Sequence, residues 1–197
     1  MEKIILASAS PRRREILNAV GIEFEVVKSD ADENAVSKEL APEIYVQELA
    51  LLKATDAAKK LKLKNRRDML IISADTIVVS EGEILGKPED EADAKRILLS
   101  LSGKQHKVIT GICVTRLNDA FSVCKSVVTK VKFRELGEEE IDKYIASGEP
   151  MDKAGAYGIQ GKGALLTDGI EGDYFNVVGL PVSKLCEVLR TEFNYSI

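Results

Sequence analysis

Met69-Leu-Ile-Ile-Ser-Ala-Asp-Thr-Ile-Val-Val79 is apolar at nearly every position, interrupted only around Ala74-Asp75. A strand covered on both faces reads this way, and two apolar halves, Met69–Ser73 and Thr76–Val79, fit one such strand ending at the Glu81-Gly82-Glu83 turn. Upstream, Pro42 opens a long segment in which Val46, Leu49, Ala50, Lys53, Ala54 and Ala57 recur at the spacing of one helical face. Further back, Lys3–Ala7 is a second buried strand. Ser8-Ala-Ser10-Pro11 follows it with small polar cap candidates and a proline suited to the first helical position, so a helix is expected up to Gly21. Ile22–Val27 alternates as a further strand, and Ser29–Ala41 loses its apolar pattern, as a loop does.

Beyond Leu85-Gly-Lys-Pro88, the residues Ala94, Ile97, Leu98 and Leu101 carry helical spacing, closed by Gly103. Lys107–Leu117 and Phe121–Phe133, joined through Asn118-Asp119, form an expected long antiparallel hairpin. Ile141, Tyr144 and Ile145 mark another helix, Tyr174–Val178 is expected to be a strand, and Pro181 opens a final helix. That helix carries Val182, Leu185, Cys186, Leu189 and Phe193 on one face. Strands alternating with helices, plus one hairpin, predict an α/β protein whose sheet is mixed and flanked by helices, with two lobes around a cleft. No internal repeat, low-complexity tract or linker interrupts residues 1–197, which are read as one domain.

The 197 residues contain 28 Lys and Arg against 32 Asp and Glu, a net charge of −4, with 45% hydrophobic residues. A chain of this length buries about 70% of the surface its unfolded form exposes, so it needs neither metal nor disulfide to hold its fold. Three dispersed cysteines and one histidine lack the spacing of a zinc site, leaving oxygen ligands for any metal. No apolar run approaches the roughly 18 residues of a membrane span, and the N-terminus lacks the order of a signal peptide, so a reducing, cytoplasmic setting is expected. The mildly acidic balance and scarce aromatics argue against a nucleic-acid binder.

Four charged features fall where a core-building pattern would not put them. Arg12–Arg14 at a helix start oppose the macrodipole unless an anion is held there; a solvated face is the equal alternative. Lys53 sits on an apolar stripe, from which it would ordinarily reach past to water. Asp75, inside a strand, needs a metal or a cationic partner to offset its desolvation. Lys87 in its Gly-Lys-Pro turn and Glu33 in an acidic loop read as surface. Gly155, Gly158, Gly161 and Gly163 offer close backbone approach to a ligand but match neither the Walker A nor the dinucleotide spacing. Gln160 among them presents the donor and acceptor complementary to a uracil or thymine edge; a solvated loop glutamine is the plainer reading. Lys59–Arg67 reads as solvated surface at a helix end, and His106 as a structural hydrogen-bonding residue.

Taken in order, Leu6-Ala-Ser-Ala-Ser-Pro-Arg-Arg13, Ala74-Asp-Thr76, Leu85-Gly-Lys-Pro88, Ser102-Gly-Lys-Gln-His106, Asp152-Lys-Ala-Gly-Ala-Tyr-Gly-Ile-Gln-Gly161 and the Gly172-Asp-Tyr174 to Gly179-Leu-Pro181 segment resemble the Maf family of nucleoside triphosphate pyrophosphatases, once described as septum-formation inhibitors. The resemblance runs nearly end to end. It implies a mixed α/β fold of the inosine triphosphatase-like kind with a deep cleft, a homodimer, and hydrolysis of a nucleoside triphosphate to the monophosphate and pyrophosphate with Mg²⁺ or Mn²⁺. Position by position it implies Asp75 as catalytic carboxylate, Glu33, Lys53 and Lys87 as further active-site residues, and Ser8, Arg12 and Arg13 at the phosphate end. Arg12, Thr76 and Gln160 match positions that separate substrate subgroups. The Ala156-Tyr-Gly-Ile-Gln160 wording is similar to the branch acting on dTTP and UTP. The same reaction on 7-methyl-GTP or another non-canonical nucleotide, and a nucleotide-binding regulator of division, are the alternatives.

Phosphoryl transfer asks for positioning, a polarising metal, an oriented water and cations on the accumulating charge. Under that implied chemistry Glu33 and Asp75 are expected to face each other and hold the metal, with Asp75 accepting a proton from the attacking water. Lys53, Lys87, Arg12 and Arg13 would neutralise the triphosphate, and N–H groups around Ser8 and Ser10 would add a helix-end cradle.

Overall fold

A short parallel ladder anchors the N-terminal part of the chain. In the computed structural model, which describes residues 2–195, strand β1 (Lys3–Leu6) pairs parallel with β2 (Phe24–Val26) on one side and β3 (Met69–Ser80) on the other. Parallel neighbours need crossovers, supplied by α1 (Pro11–Ala19) and α2 (Pro42–Leu63). The full strand order is β2-β1-β3-β5-β6-β7, where β5 is Gln105–Arg116, β6 is Ser122–Phe133 and β7 is Thr167–Glu171, with β4 (Glu83–Leu85) paired to β3. The remaining helices are α3 (Glu91–Leu101), α4 (Glu138–Ile145), α5 (Tyr174–Val178) and α6 (Val182–Phe193). Sheet strands mixed in direction, with intervening helices, are the expected class.

The chain resolves into two compact units. The first comprises Met1–Asp75, Thr110–Val127 and Gly179–Ile197; the second comprises Thr76–Ile109 and Val128–Val178. In the first, Ile5, Met69, Ile71 and Cys113 of the strands, with Ala7 just beyond β1, bury against Ala50, Ala54, Ala57 and Leu61 of α2. The alanines keep that helix close to the sheet. A Cβ on Gly111 of β5 would stand 2.3 Å from the Val46 carbonyl oxygen, so only glycine fits there. In the second unit, Val78, Val131 and Phe133 pack with Ala94, Ile97, Leu98 and Leu101 of α3 and Ile141, Tyr144 and Ile145 of α4.

Long periodic elements match their sequence signals, and the departures have local causes. Tyr174–Val178 is a helix, not a strand: the Asp173 carboxylate accepts from the backbone N–H groups of Phe175 (2.7 Å) and Asn176 (3.3 Å), an N-cap that the apolar residues hide. Strand β7 runs through Thr-Asp-Gly-Ile-Glu, which has turn-like composition because the strand is largely exposed. β4 begins inside the expected turn, since Glu81 (φ 52°) and Gly82 (φ 89°) make a two-residue reversal and pairing starts at once. The Ser29–Ala41 loop contains a 3₁₀ turn, Glu33–Ala35, where Asp32 Oδ1 accepts from Asn34 N–H at 3.0 Å. Ser10 precedes α1 without a side-chain cap bond; its own N–H donates instead to Ser8 Oγ at 3.2 Å.

Candidate active site

Charge collects at the ends of β1 and in the middle of β3, both within the first unit. β1 leads through Ala7, whose N–H donates to Ile72 O at 2.7 Å, into the buried Ser8 and the start of α1. Arg13, in the first turn of α1, folds back: its Nε donates to Gly179 O at 2.8 Å and a terminal nitrogen to Ser8 Oγ at 3.1 Å. Burial lowers the Arg13 pKa, the carboxylate of Asp75 pushes it back up, Arg12 lowers it and Glu33 raises it. Arg14 donates to Ala9 O at 3.0 Å, which fixes the same turn. Arg13 and Arg14 thus tie down the loop that enters α1.

Lys53 does not escape to water. Only 15% of its side chain is exposed, and its ammonium sits 2.8 Å from Glu33 Oε1 while also donating to Asp75 Oδ1. The partner that a carboxylate inside β3 requires is this lysine, reaching from the apolar face of α2. Ser73, two residues earlier on β3, donates to Ala50 O at 2.6 Å and so couples the strand to the same helix one turn before Lys53. Glu33 arrives on its 3₁₀ turn from a segment with no other sequence signal.

Tyr45 joins this group without having been singled out by the sequence. It is buried on α2, two turns before Lys53; burial raises its phenol pKa, the Asp75 and Glu33 charges raise it further, and Lys53 opposes them. A tyrosine on an apolar helical face reads as core. Its spacing of eight residues from Lys53 is the signal that links the two.

Thr76, Lys87 and Gln160 belong to the second unit. Thr76 follows Asp75 on β3 and is half-buried; Lys87 is exposed beyond β4; Gln160 is exposed at the start of a 3₁₀ segment, Gly161–Leu166. The neighbouring glycines serve internal packing more than ligand approach. A Cβ at Gly163 would meet Gly158 O at 2.0 Å, and one at Gly155 (φ 70°) would meet Val78 at 2.8 Å. His106 bonds through Nε2 to the Tyr157 hydroxyl at 2.7 Å, edge-on to Phe133, as a structural histidine should.

The donor set around Lys53 is two carboxylates. Among the described residues, no group of three or more His, Cys, Asp or Glu side chains could hold a metal. Two carboxylates are the donor number that a hard cation takes when water and substrate oxygens complete its shell.

A family model described as Maf-like protein matches residues 3–192. A relative from Alkaliphilus metalliredigens (strain QYMF), named dTTP/UTP pyrophosphatase, is 50% identical over 197 residues and covers 100% of both chains. Another of the same name, from Dictyoglomus thermophilum (strain ATCC 35947 / DSM 3960 / H-6-12), is 46% identical over 196 residues, covering 100% of this chain and 98% of its own. Among solved structures, a HAM1 protein from Coxiella burnetii aligns over 96% of this chain and 98% of its own with a TM-score of 0.50 at 17% identity, a likeness of fold.

Proposed function

Because the chain belongs to the Maf family, we propose that it hydrolyses nucleoside triphosphates, dTTP and UTP foremost, to the monophosphate and pyrophosphate, with residues 1–197 acting as one catalytic domain. The observation that carries this reading is the Lys53 ammonium joined to both the Glu33 and Asp75 carboxylates, in the unit that also holds Ser8 and Arg13. Glu33 and Asp75 would hold Mg²⁺ or Mn²⁺, whose contribution when bound is to polarise phosphoryl oxygens and offset their charge.

The chain's own residues account for the rest. Asp75, oriented by Lys53, accepts the proton of the attacking water at a carboxylate oxygen. Lys53 holds Glu33 and Asp75 in register before substrate arrives and then shares its charge with the phosphates. Arg12, Arg13 and Lys87 neutralise the triphosphate, and Ser8 orients the Arg13 guanidinium. Gln160 reads the base edge, with Thr76 and Arg12 shaping the choice. The active protein is a homodimer with a nucleotide as its partner, acting on neither nucleic acid nor membrane; among the described residues no helix is long and apolar enough to cross one.

Incubating the protein with a triphosphate panel and Mg²⁺ or Mn²⁺ tests this directly: dTTP and UTP should release pyrophosphate, and Asp75→Asn should lower kcat by about two to four orders of magnitude. Orthophosphate as the product, or near-normal turnover in Asp75→Asn, overturns the reading. Gln160→Glu replaces an amide donor with an acceptor and should reduce UTP turnover relative to GTP by about tenfold or more. An unchanged ratio removes Gln160 from base selection.

A further inference from the structure

Strands β5 and β6 share one unbroken register. At the turn Arg116 N–H donates to Phe121 O at 2.8 Å, and at the far end Phe133 N–H donates to Lys104 O at 3.0 Å. A five-residue connection between strands of this length permits only an antiparallel pair, so the even-numbered β5 positions are the hydrogen-bonded ones. Thr115 consequently faces Ser122 across a non-hydrogen-bonded position, and their hydroxyl oxygens lie 2.8 Å apart. Two residues along the same face, Cys113 faces Cys124. Both are free thiols packed in the core of the first unit, Cys113 fully buried and Cys124 half-buried. Cys113 Sγ lies 3.6 Å from Thr115 Oγ1, and the two thiols hydrogen-bond each other.

Directly opposed residues at such a position have Cα atoms about 4.5 Å apart, inside the range of roughly 4.4–6.8 Å that a disulfide spans. The geometry points to Cys113 and Cys124 as a reversible dithiol/disulfide pair, a modification site for small-molecule disulfide oxidants. Cys124, the less buried of the two, passes its proton to the Cys113 thiolate as it attacks the reagent's S–S bond; that bond breaks, one reagent thiol leaves, and a mixed disulfide forms. Cys113, deprotonated in turn, attacks the Cys124 sulfur and expels the second reagent thiol. Two protein S–H bonds and one reagent S–S bond are consumed, and one protein S–S bond and two reagent S–H bonds are formed. The protein loses two electrons and two protons to the reagent. The hydrogen bond between the thiols lowers the pKa of Cys113 and, with burial, raises that of Cys124, so the pair's first proton leaves a charge shared across one sulfur–sulfur contact. The resulting staple would pin β5 to β6 next to the turn, in the unit that carries Glu33, Lys53 and Asp75.

Treating the native protein with excess oxidised glutathione, then counting thiols after acid quench and denaturation, tests the pair. Thiols should fall from three to one, with the mass lower by about 2 Da, a peptide map joining Cys113 to Cys124, and dithiothreitol restoring all three. Cys113→Ser should instead accumulate a single glutathione adduct on Cys124. Cys124→Ser, a change at a partly exposed position, should remain unmodified at Cys113. A glutathione adduct persisting on Cys124 in the native sequence, or cross-linked dimers through Cys124 or Cys186, overturns the assignment.

Discussion

Lys53 donates to two carboxylates from a position where only 15% of its side chain meets solvent, and Asp75 is as sheltered at 14%. Removing one partner from such a group leaves charge without compensation, which costs more than the group contributes when intact. Lys53→Met keeps the aliphatic stem and deletes the charge, so Glu33 and Asp75 are left repelling each other. We expect a loss of about 2 kcal/mol in urea unfolding at neutral pH, below the 3–5 kcal/mol of a fully buried pair because Glu33 is 56% exposed. Adding Asp75→Asn should restore at least half of that loss, a coupling that a merely bulky effect of methionine would not produce. Asp75 is conspicuous in the sequence because a strand interior gives a carboxylate no innocent role. Lys53 is conspicuous because of its stripe. Glu33 is not: on an exposed turn in an acidic loop it resembles its neighbours, and only the family resemblance distinguishes it.

Between residue and molecule, the site depends on how closely α2 approaches the sheet. Gly111 lies on β5 beneath Val46 of that helix, and Gly111→Ala would force a Cβ to within 2.3 Å of a carbonyl oxygen and 2.8 Å of the Gln47 nitrogen. Backbone cannot rotate out of the way, so the helix must lift, and the loss should reach about 3 kcal/mol in denaturant unfolding with Lys53 displaced and turnover reduced. Gly169→Ala on β7, where nothing lies within 4 Å, should change stability by less than about 1 kcal/mol in the same assay. Equal effects at the two glycines would show that the helix–strand contact is softer than its geometry. Legibility follows the same physics. Elements that bury a periodic face, such as α2, β3 and the β5–β6 hairpin, announce themselves because burial writes the pattern. β7, exposed at four of five positions, carries no such pattern. α5 is only five residues long and is held by Asp173, so its helicity resides in one capping carboxylate outside the apolar run. The glycines at 155 and 163 were legible as close approaches, but the approaching atoms come from Val78 and Gly158.

For the whole molecule the acid response follows from having one histidine. Burial drives the His106 pKa down to about 4, against about 6.5 in an unfolded chain. Between those values the unfolded state takes up a proton that the native state refuses, so acid favours unfolding. The sign is therefore fixed: stability is complete above pH 6.5 and falls as pH is lowered toward 4, by about 3 kcal/mol in all and about 2 kcal/mol by pH 5. Carboxylates held low by partners, Asp168 by its bond to Lys132 and Asp93 by its bond to Arg96, add their losses only further down, as pH falls through their own native values. The interval from pH 7 to 5 thus belongs to one imidazole, which is locked against Tyr157 and Phe133, with Nδ1 lacking a partner among the described residues. Urea midpoints measured across that interval should slope for the native sequence and run flat for His106→Gln, whose shorter amide can still meet the Tyr157 hydroxyl. A slope that survives the substitution would place the proton uptake elsewhere and remove His106 as the acid trigger of the fold.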